Sequence, residues 1–330
     1  MVETRAGIGR PGRFAALLGL IDPKRPILLQ THDYPDIDAV ASAWAFAELL
    51  RRRGFSVALG YRGEIRSRSL MRLIAEMGMT IDAAPSGVEQ AQVIVVDGSP
   101  TNGNVELFPG GLLGIVDHHR VVDKPDAPFI DIRPDASACA TIMLSYWAEA
   151  GEELPRDLAT ALLAGLQSDT DFLSRRASSE DFDAYVSLFK SGDWDRASRI
   201  VRSVLNLEEL DLIRRALGDA EVRDSLFYTT LPGPCGQEVL AVLAEFVLRA
   251  EELAAAVVVE TSEGGVHLSA RSKASALSAF DLVRRALRGI GSGGGHSHAA
   301  GGVVPASAYP GPQALKERFF AVAAQAAQHS

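Results

Sequence analysis

The sequence predicts an α/β fold: a mainly parallel sheet flanked by helices, then a helical connector, then a smaller α+β domain. Three observations carry that reading. Short unbroken apolar runs such as residues 92–96 (QVIVV) and 112–116 (LLGIV) suit strands of a parallel sheet covered on both faces. Between such runs, apolar residues recur at helical spacing. After about residue 218 the pattern shifts to strands with alternation, a Gly-Gly turn and a glycine-rich tail.

Taken in order, residues 26–30 (PILLQ) form a buried strand, and residues 38–53 a helix ending at Gly54, a C-cap. Residues 56–61 are a second strand and 67–77 a second helix. The apolar runs at 92–96 and 112–116 are the next strands, each stopping at an Asp, and 129–133 is another. Residues 137–150 and 156–167 are helical. From 179 to about 218 the pattern is only helical and rich in charge. Residues 224–231 and 254–260 are strand-like, and the latter joins 266–271 through Gly264-Gly265 as a hairpin. Residues 280–288 are helical, residues 289–302 are glycine-rich, and a last helix starts near 313. No internal repeat is present. The domains are therefore predicted as 1–190, a connector over 191–222, and 223–330.

Composition limits the function classes. The chain has 330 residues, 47% hydrophobic and 23% charged, which is ordinary globular make-up and enough for two cores. Its net charge of −9 argues against a protein that grips long duplex DNA by its phosphates. Cys139 and Cys235 are far apart and form no C-x-x-C, so neither a disulfide framework nor a zinc ribbon is available. Residues 1–10 have no apolar core of a signal peptide, and no apolar run approaches the ~20 residues of a membrane span. The expectation is a soluble cytoplasmic protein with no membrane partner.

Four clusters carry candidate chemistry. The first strand runs into His32-Asp33-Tyr34-Pro35-Asp36-Ile37-Asp38, an H-x-x-x-D-x-D pattern. The third ends in Asp97, the next in Asp117-His118-His119, and Asp169 follows a helix. Ligands of open α/β sheets bind beyond the carboxyl ends of the strands, so the first three clusters should converge on one crevice. Imidazole and carboxylate donors without thiolate favour Mn²⁺ or Mg²⁺ over structural zinc. Each cluster alone has a plainer reading: Asp38 as a helix cap, Asp97 as a turn residue, His118 and His119 as loop histidines. Yet the chain has seven His, and all three in its first two-thirds lie in these clusters.

Together these clusters resemble the four motifs of the DHH phosphoesterase superfamily. Gly293-Gly294-Gly295-His296, with Ala300-Gly301-Gly302 after it, resembles the signature of the DHH-associated C-terminal domain, so the resemblance spans nearly the whole chain. It implies one metal bound by His32, Asp36 and Asp97 and a second by Asp38, Asp97, His118 and Asp169, with Asp97 bridging. Asp117 would support the His pair, and His119 would face the substrate phosphate. Asp97, His118 and His119 would be the catalytic residues, and two Mn²⁺ per chain the cofactors, with Mg²⁺ or Co²⁺ as substitutes. Two departures are visible. Tyr34 stands where an Asn often precedes the Pro, and Asp97 is followed by Gly98-Ser99 rather than by Thr-Ser or Cys-Gly. Neither departure falls on a metal ligand; what they put in question is substrate preference.

Residues 289–294 also satisfy G-x-G-x-x-G, but they follow a helix rather than a strand, so a dinucleotide fold is rejected. What remains is a run of unhindered backbone N–H groups suited to an anion-binding nest closed by His296. Arg271, beside Ser272 at a strand end, is a second phosphate candidate because a guanidinium can bind two oxygens at once; the resemblance places a substrate-binding Arg there too. A plainer reading makes Arg271 a surface arginine, and His267, His298 and His329 are incidental.

The resemblance implies a Mn²⁺-dependent phosphoesterase with its site in the cleft between two domains. The substrates would be short oligoribonucleotides, dinucleotides from cyclic dinucleotides, or 3′-phosphoadenosine 5′-phosphate. A homodimer is compatible with this. Two alternatives stay open: an exopolyphosphatase or pyrophosphatase-like phosphohydrolase, and a nucleotide-binding regulator without catalysis. An intact ligand set argues against the last.

Overall fold

The apolar runs of the first half become five parallel strands: β1 (Ile27–Thr31), β2 (Val57–Gly60), β3 (Gln92–Val96), β4 (Gly111–Asp117) and β5 (Phe129–Ile132). Their order in the sheet is β2-β1-β3-β4-β5. The computed structural model describes residues 12–327, apart from Val122, Pro234, residues 274–276 and His296. The expectations for residues 1–10, His296 and His329 concern residues outside those described.

The chain forms two compact units, Met1–Ser203 and Val204–Ser330. In the first, the helices are α1 (Arg13–Leu18), α2 (Ile37–Arg52), α3 (Arg68–Met77), α4 (Cys139–Ala150), α5 (Arg156–Thr170), α6 (Ser179–Ser191) and α7 (Trp194–Arg202), of which α2 packs on β1, β2 and β3 and α4 on β4. Helix α2 packs against α4 and α5 and is buried almost throughout. Its alanines, Ala39, Ala41, Ala43, Ala45 and Ala47, are fully buried and let neighbouring helices approach closely. Trp147 of α4 donates its Nε1–H to the carbonyl of Ala45 at 3.1 Å, so the indole meets its one polar demand inside the core. Helices α6 and α7 pack on α5.

The second unit contains α8 (Leu207–Gly218) and a six-stranded mixed sheet. Its strands are β6 (Glu221–Arg223), β7 (Leu226–Leu231), β8 (Ala255–Ser262), β9 (Gly265–Ser272), β10 (Ser292–Gly295) and β11 (Ala299–Pro305), in the order β10-β11-β9-β8-β7-β6. Helices α9 (Gln237–Val247), α10 (Ala279–Ala286) and α11 (Pro312–Ala327) complete it. Residues 293–295 are thus an exposed edge strand paired with β11, not a nest-forming loop. Glycine hides a strand from pattern reading because it shows no alternation. Here its small size matters: a Cβ on Gly302 would lie 2.6 Å from Leu287, and one on Gly293 would strike Val283 of α10. No helix among the described residues is long and apolar enough to cross a membrane.

Candidate metal centre

The sheet order turns at β1, which has β2 on one side and β3 on the other. Thr31 pairs with Val96, and Val96 with Val116, so the next residues, His32, Asp97 and Asp117, stand in one row across three adjacent strand ends. Such a switch point opens a crevice at the carboxyl edge. Three sets of side chains there each bring ligand atoms within 4.8 Å of one another: His32, Asp36 and Asp97; Asp97, His118 and His119; and Asp38, His118 and Asp169.

Local geometry orients each donor. The Nδ1–H of His32 donates to the carbonyl of Asp33 at 2.9 Å, which leaves the Nε2 lone pair facing Asp97 Oδ2 at 3.7 Å and Asp36 Oδ1 at 3.9 Å. Asp36 caps α2 by accepting from the Ala39 N–H at 3.0 Å. Asp97 sits in the left-handed region (φ 62°), a conformation that Asp tolerates better than most residues. Its Oδ1 lies 3.2 Å from His118 Nε2, which is itself 3.4 Å from Asp169 Oδ2. Asp117 Oδ1 accepts both the backbone N–H of His119 at 3.1 Å and its Nδ1–H at 2.8 Å, so the His119 lone pair is on Nε2.

Asp38 does not cap its own helix. Its Oδ2 accepts the N–H of Cys139 at 2.6 Å and its Oδ1 that of Ala140 at 3.0 Å, serving the start of α4, which has no side-chain cap of its own. A sequence window cannot show a cap contributed from 101 positions away. Asp169 lies in the last turn of α5, where the helix dipole disfavours a carboxylate. Beyond it, Asp171, Phe172 and Leu173 are all left-handed (φ 46°, 56° and 64°) and end the helix abruptly.

The electrostatics ask for positive charge. Burial pulls the imidazoles of His32 and His118 down, yet the carboxylates around them push both up to about 10. Burial, with Asp97 and Asp36 close by, pushes Asp38 up to about 7 against the pull of His118. Burial and the charges of Asp38 and Asp36 push Asp169 up as well. Asp97 goes the other way: burial would raise it, but His118, His119 and His32 hold it well below the usual carboxylate range. Protons on the imidazoles are one answer to such a field; divalent cations are the other. Asp97 Oδ1 and His118 Nε2 are buried and face each other at 3.2 Å without a well-formed hydrogen bond, a desolvation cost of about 1–3 kcal/mol that coordination would offset. The donor set is imidazole and carboxylate only. Cys139 is buried, its Sγ directed at the Val116 carbonyl at 3.7 Å, and burial pushes its thiol well up. Such donors suit Mn²⁺ or Mg²⁺.

Two glycines complete the site without having been singled out for it. A Cβ on Gly98 would lie 3.0 Å from the His32 Cβ, and one on Gly165 would lie 2.7 Å from Asp38 Oδ1. An isolated glycine inside a helix, at a cost of ~1 kcal/mol against alanine, was the available signal for Gly165. Gly165→Ala should therefore push Asp38 off its position and lower Mn²⁺ affinity on the order of 10–100-fold, the range expected when the support of a ligand is disturbed. Calorimetric titration with Mn²⁺, beside a thermal melt of the metal-free protein, checks this. Unchanged affinity would mean that α2 yields without moving the carboxylate.

Residues 26–166 match the model of the DHH family, N-terminal domain, and residues 224–328 match that of the DHHA1 domain. The chain belongs to the DHH superfamily. The DHH match ends just before Asp169, while His32, Asp36, Asp38, Asp97, Asp117, His118 and His119 lie within it. An uncharacterized protein of Methanocaldococcus jannaschii is 29% identical over 86% of this chain and 59% of its own length. A probable manganese-dependent inorganic pyrophosphatase of Bacillus licheniformis is 29% identical over 49% of this chain and 54% of its own. The chain thus spans little more than half the length of these relatives. Among solved structures, an exopolyphosphatase-related protein from Bacteroides fragilis shares the fold, with a TM-score of 0.77 over 97% of this chain and 99% of that one, at 16% identity.

In the DHHA1 domain, Arg271 is the penultimate residue of β9, with its Nε–H donating to Glu245 at 2.9 Å and its Nη1 to Ser269 Oγ at 2.9 Å. Ser272 is buried, and its hydroxyl donates to the carbonyl of Leu277 at 2.5 Å, with that of Ala254 3.3 Å away. Gly293, Gly294 and Gly295 form the exposed edge strand β10.

Proposed function

We propose that this DHH–DHHA1 chain is a Mn²⁺-dependent phosphoesterase that hydrolyses short nucleotide substrates: short oligoribonucleotides, dinucleotides, or 3′-phosphoadenosine 5′-phosphate. The observation that carries the reading is a chain of overlapping donor sets, with Asp97 Oδ1 and His118 Nε2 buried at the junction. Asp97 belongs to the set with His32 and Asp36 and to the set with His118 and His119, and His118 also to the set with Asp38 and Asp169. In this reading His32, Asp36 and Asp97 hold one ion, and Asp38, Asp97, His118 and Asp169 hold the other. Bound there, two cations supply Lewis-acid polarisation of the phosphoryl group and of the attacking water.

The protein's own groups do the rest. Asp117 keeps His119 in one tautomer, so that Nε2 is the atom that takes up or delivers a proton at the reacting oxygens. Arg271 holds a non-scissile phosphate, which has to compete with Glu245 for the guanidinium. The outward-facing main-chain N–H groups of edge strand β10 (Ser292–Gly295), those not paired with β11, are offered to the same anionic end, and Ser272 keeps the turn after β9 in place. A net charge of −9 favours a small anion over a long polymer.

A second reading, phosphoanhydride hydrolysis, draws support from the pyrophosphatase among the relatives and from the exopolyphosphatase-related fold. A hydrolysis screen with Mn²⁺ over a dinucleotide, 3′-phosphoadenosine 5′-phosphate, pyrophosphate and polyphosphate decides between them. The expected result is turnover of one of the two nucleotides well above that of either inorganic substrate. The reverse order favours the second reading, and no hydrolysis of any of the four by metal-loaded protein rejects both.

A further inference from the structure

Tyr34 is the one large aromatic side chain in the segment between His32 and Asp36, and it is 68% exposed. Apolar exposure of that size is usually explained by looseness, but here the segment is clamped. The backbone of Tyr34 is left-handed (φ 56°), a conformation that bulky residues adopt only when their surroundings impose it. Its N–H donates to the Arg62 carbonyl at 2.9 Å. One residue earlier, the Asp33 N–H donates to the Asn104 carbonyl at 2.8 Å and the Asp33 carboxylate accepts from the Glu106 N–H at 3.1 Å.

The ring itself is backed. A Cβ on Gly63 would lie 2.7–2.9 Å from three of its atoms, so the tyrosine rests directly on glycine backbone. Gly63 is also left-handed (φ 83°), so glycine is required there twice over. Two positive-φ residues therefore cooperate to present one ring, with one side supported and most of the surface in water. Two peptide units separate Tyr34 from His32 on one side and from Asp36 on the other, which bounds those Cα distances at about 7 Å. That is the scale on which a nucleoside carries its base from its 5′-phosphate.

Resting on the phosphoesterase reading, we propose that Tyr34 is a stacking platform for the nucleobase attached to the phosphate at the metal centre, and so selects nucleoside phosphates over inorganic ones. Base–aromatic stacking tolerates any base, because every base has a π-face. The platform thus distinguishes nucleotide from non-nucleotide rather than one base from another. The hydroxyl is dispensable in this role and the ring is not.

The test uses the full-length protein with Mg²⁺ and two ligands with the same 5′-phosphate: adenosine 5′-monophosphate and ribose 5-phosphate, which lacks the base. Calorimetry is expected to show the nucleotide binding roughly 5- to 100-fold more tightly in the wild type. Tyr34→Phe should keep that ratio. Tyr34→Asn, which accommodates the left-handed backbone, should bring it to about one. If the wild type binds both ligands equally, or if Tyr34→Asn keeps the preference, the platform is refuted while the phosphoesterase reading stands. If neither phosphate binds to metal-loaded protein, the phosphoesterase reading has failed and the platform falls with it.

Discussion

Asp97→Ala is expected to strip the site of both cations and to lower turnover by on the order of 10³-fold or more. The estimate follows from the several kcal/mol of transition-state stabilisation that a catalytic cation supplies, at about 1.4 kcal/mol per factor of ten. Asp97 is singled out because both its oxygens are engaged, Oδ2 towards His32 at 3.7 Å and Oδ1 towards His118 at 3.2 Å. No other carboxylate belongs to two of the three donor sets. Asp36 belongs to one set and is half exposed, so Asp36→Ala should lose one ion and keep the other. Elemental analysis of manganese per chain, with activity beside it, separates the outcomes. Two ions retained in Asp97→Ala would remove it from the bridging position.

His119→Ala should behave in the opposite way: manganese content near wild type, and turnover reduced ~10²–10⁴-fold, the range of a lost general acid or base. The two histidines differ in what surrounds them. His118 is buried and its Nε2 faces two carboxylates, whereas His119 is partly exposed and its Nδ1–H is committed to Asp117. His118→Ala is accordingly expected to lose metal from the set with Asp38 and Asp169. Equal metal loss in the two variants would erase the distinction, since His119 would then be a ligand too.

The five strands of the first sheet were legible because a strand buried on both faces is an unbroken apolar run, which needs no knowledge of its neighbours. Helix α9 (Gln237–Val247) is absent from the predicted elements although its apolar residues Val239, Leu240, Leu243, Ala244 and Val247 recur at helical spacing and are buried. The hairpin of β10 and β11 escaped for the reason given by its glycines, which pair through the main chain and display nothing on their faces. Helix α1 lies before the first recognised strand and was passed over.

At the metal centre the division runs between residue identity and residue placement. The sequence alone determined that His32, Asp97 and Asp117-His118-His119 stand at strand ends, because the strands that carry them are short, apolar and each closed by an Asp or His, whereas Asp169 belongs to a helix. It could not determine that His32, Asp97 and Asp117 share one row, since that depends on the register between strands far apart in the chain. Nor could it show Asp38 serving the start of α4, Gly165 leaving room for that carboxylate, or Gly63 carrying the ring of Tyr34. Each of these is a contact between segments brought together only by packing. The physical reason is common to all three: a local window records what one segment can do by itself, whereas the space beside a side chain, and the partner that fills it, belong to another part of the chain.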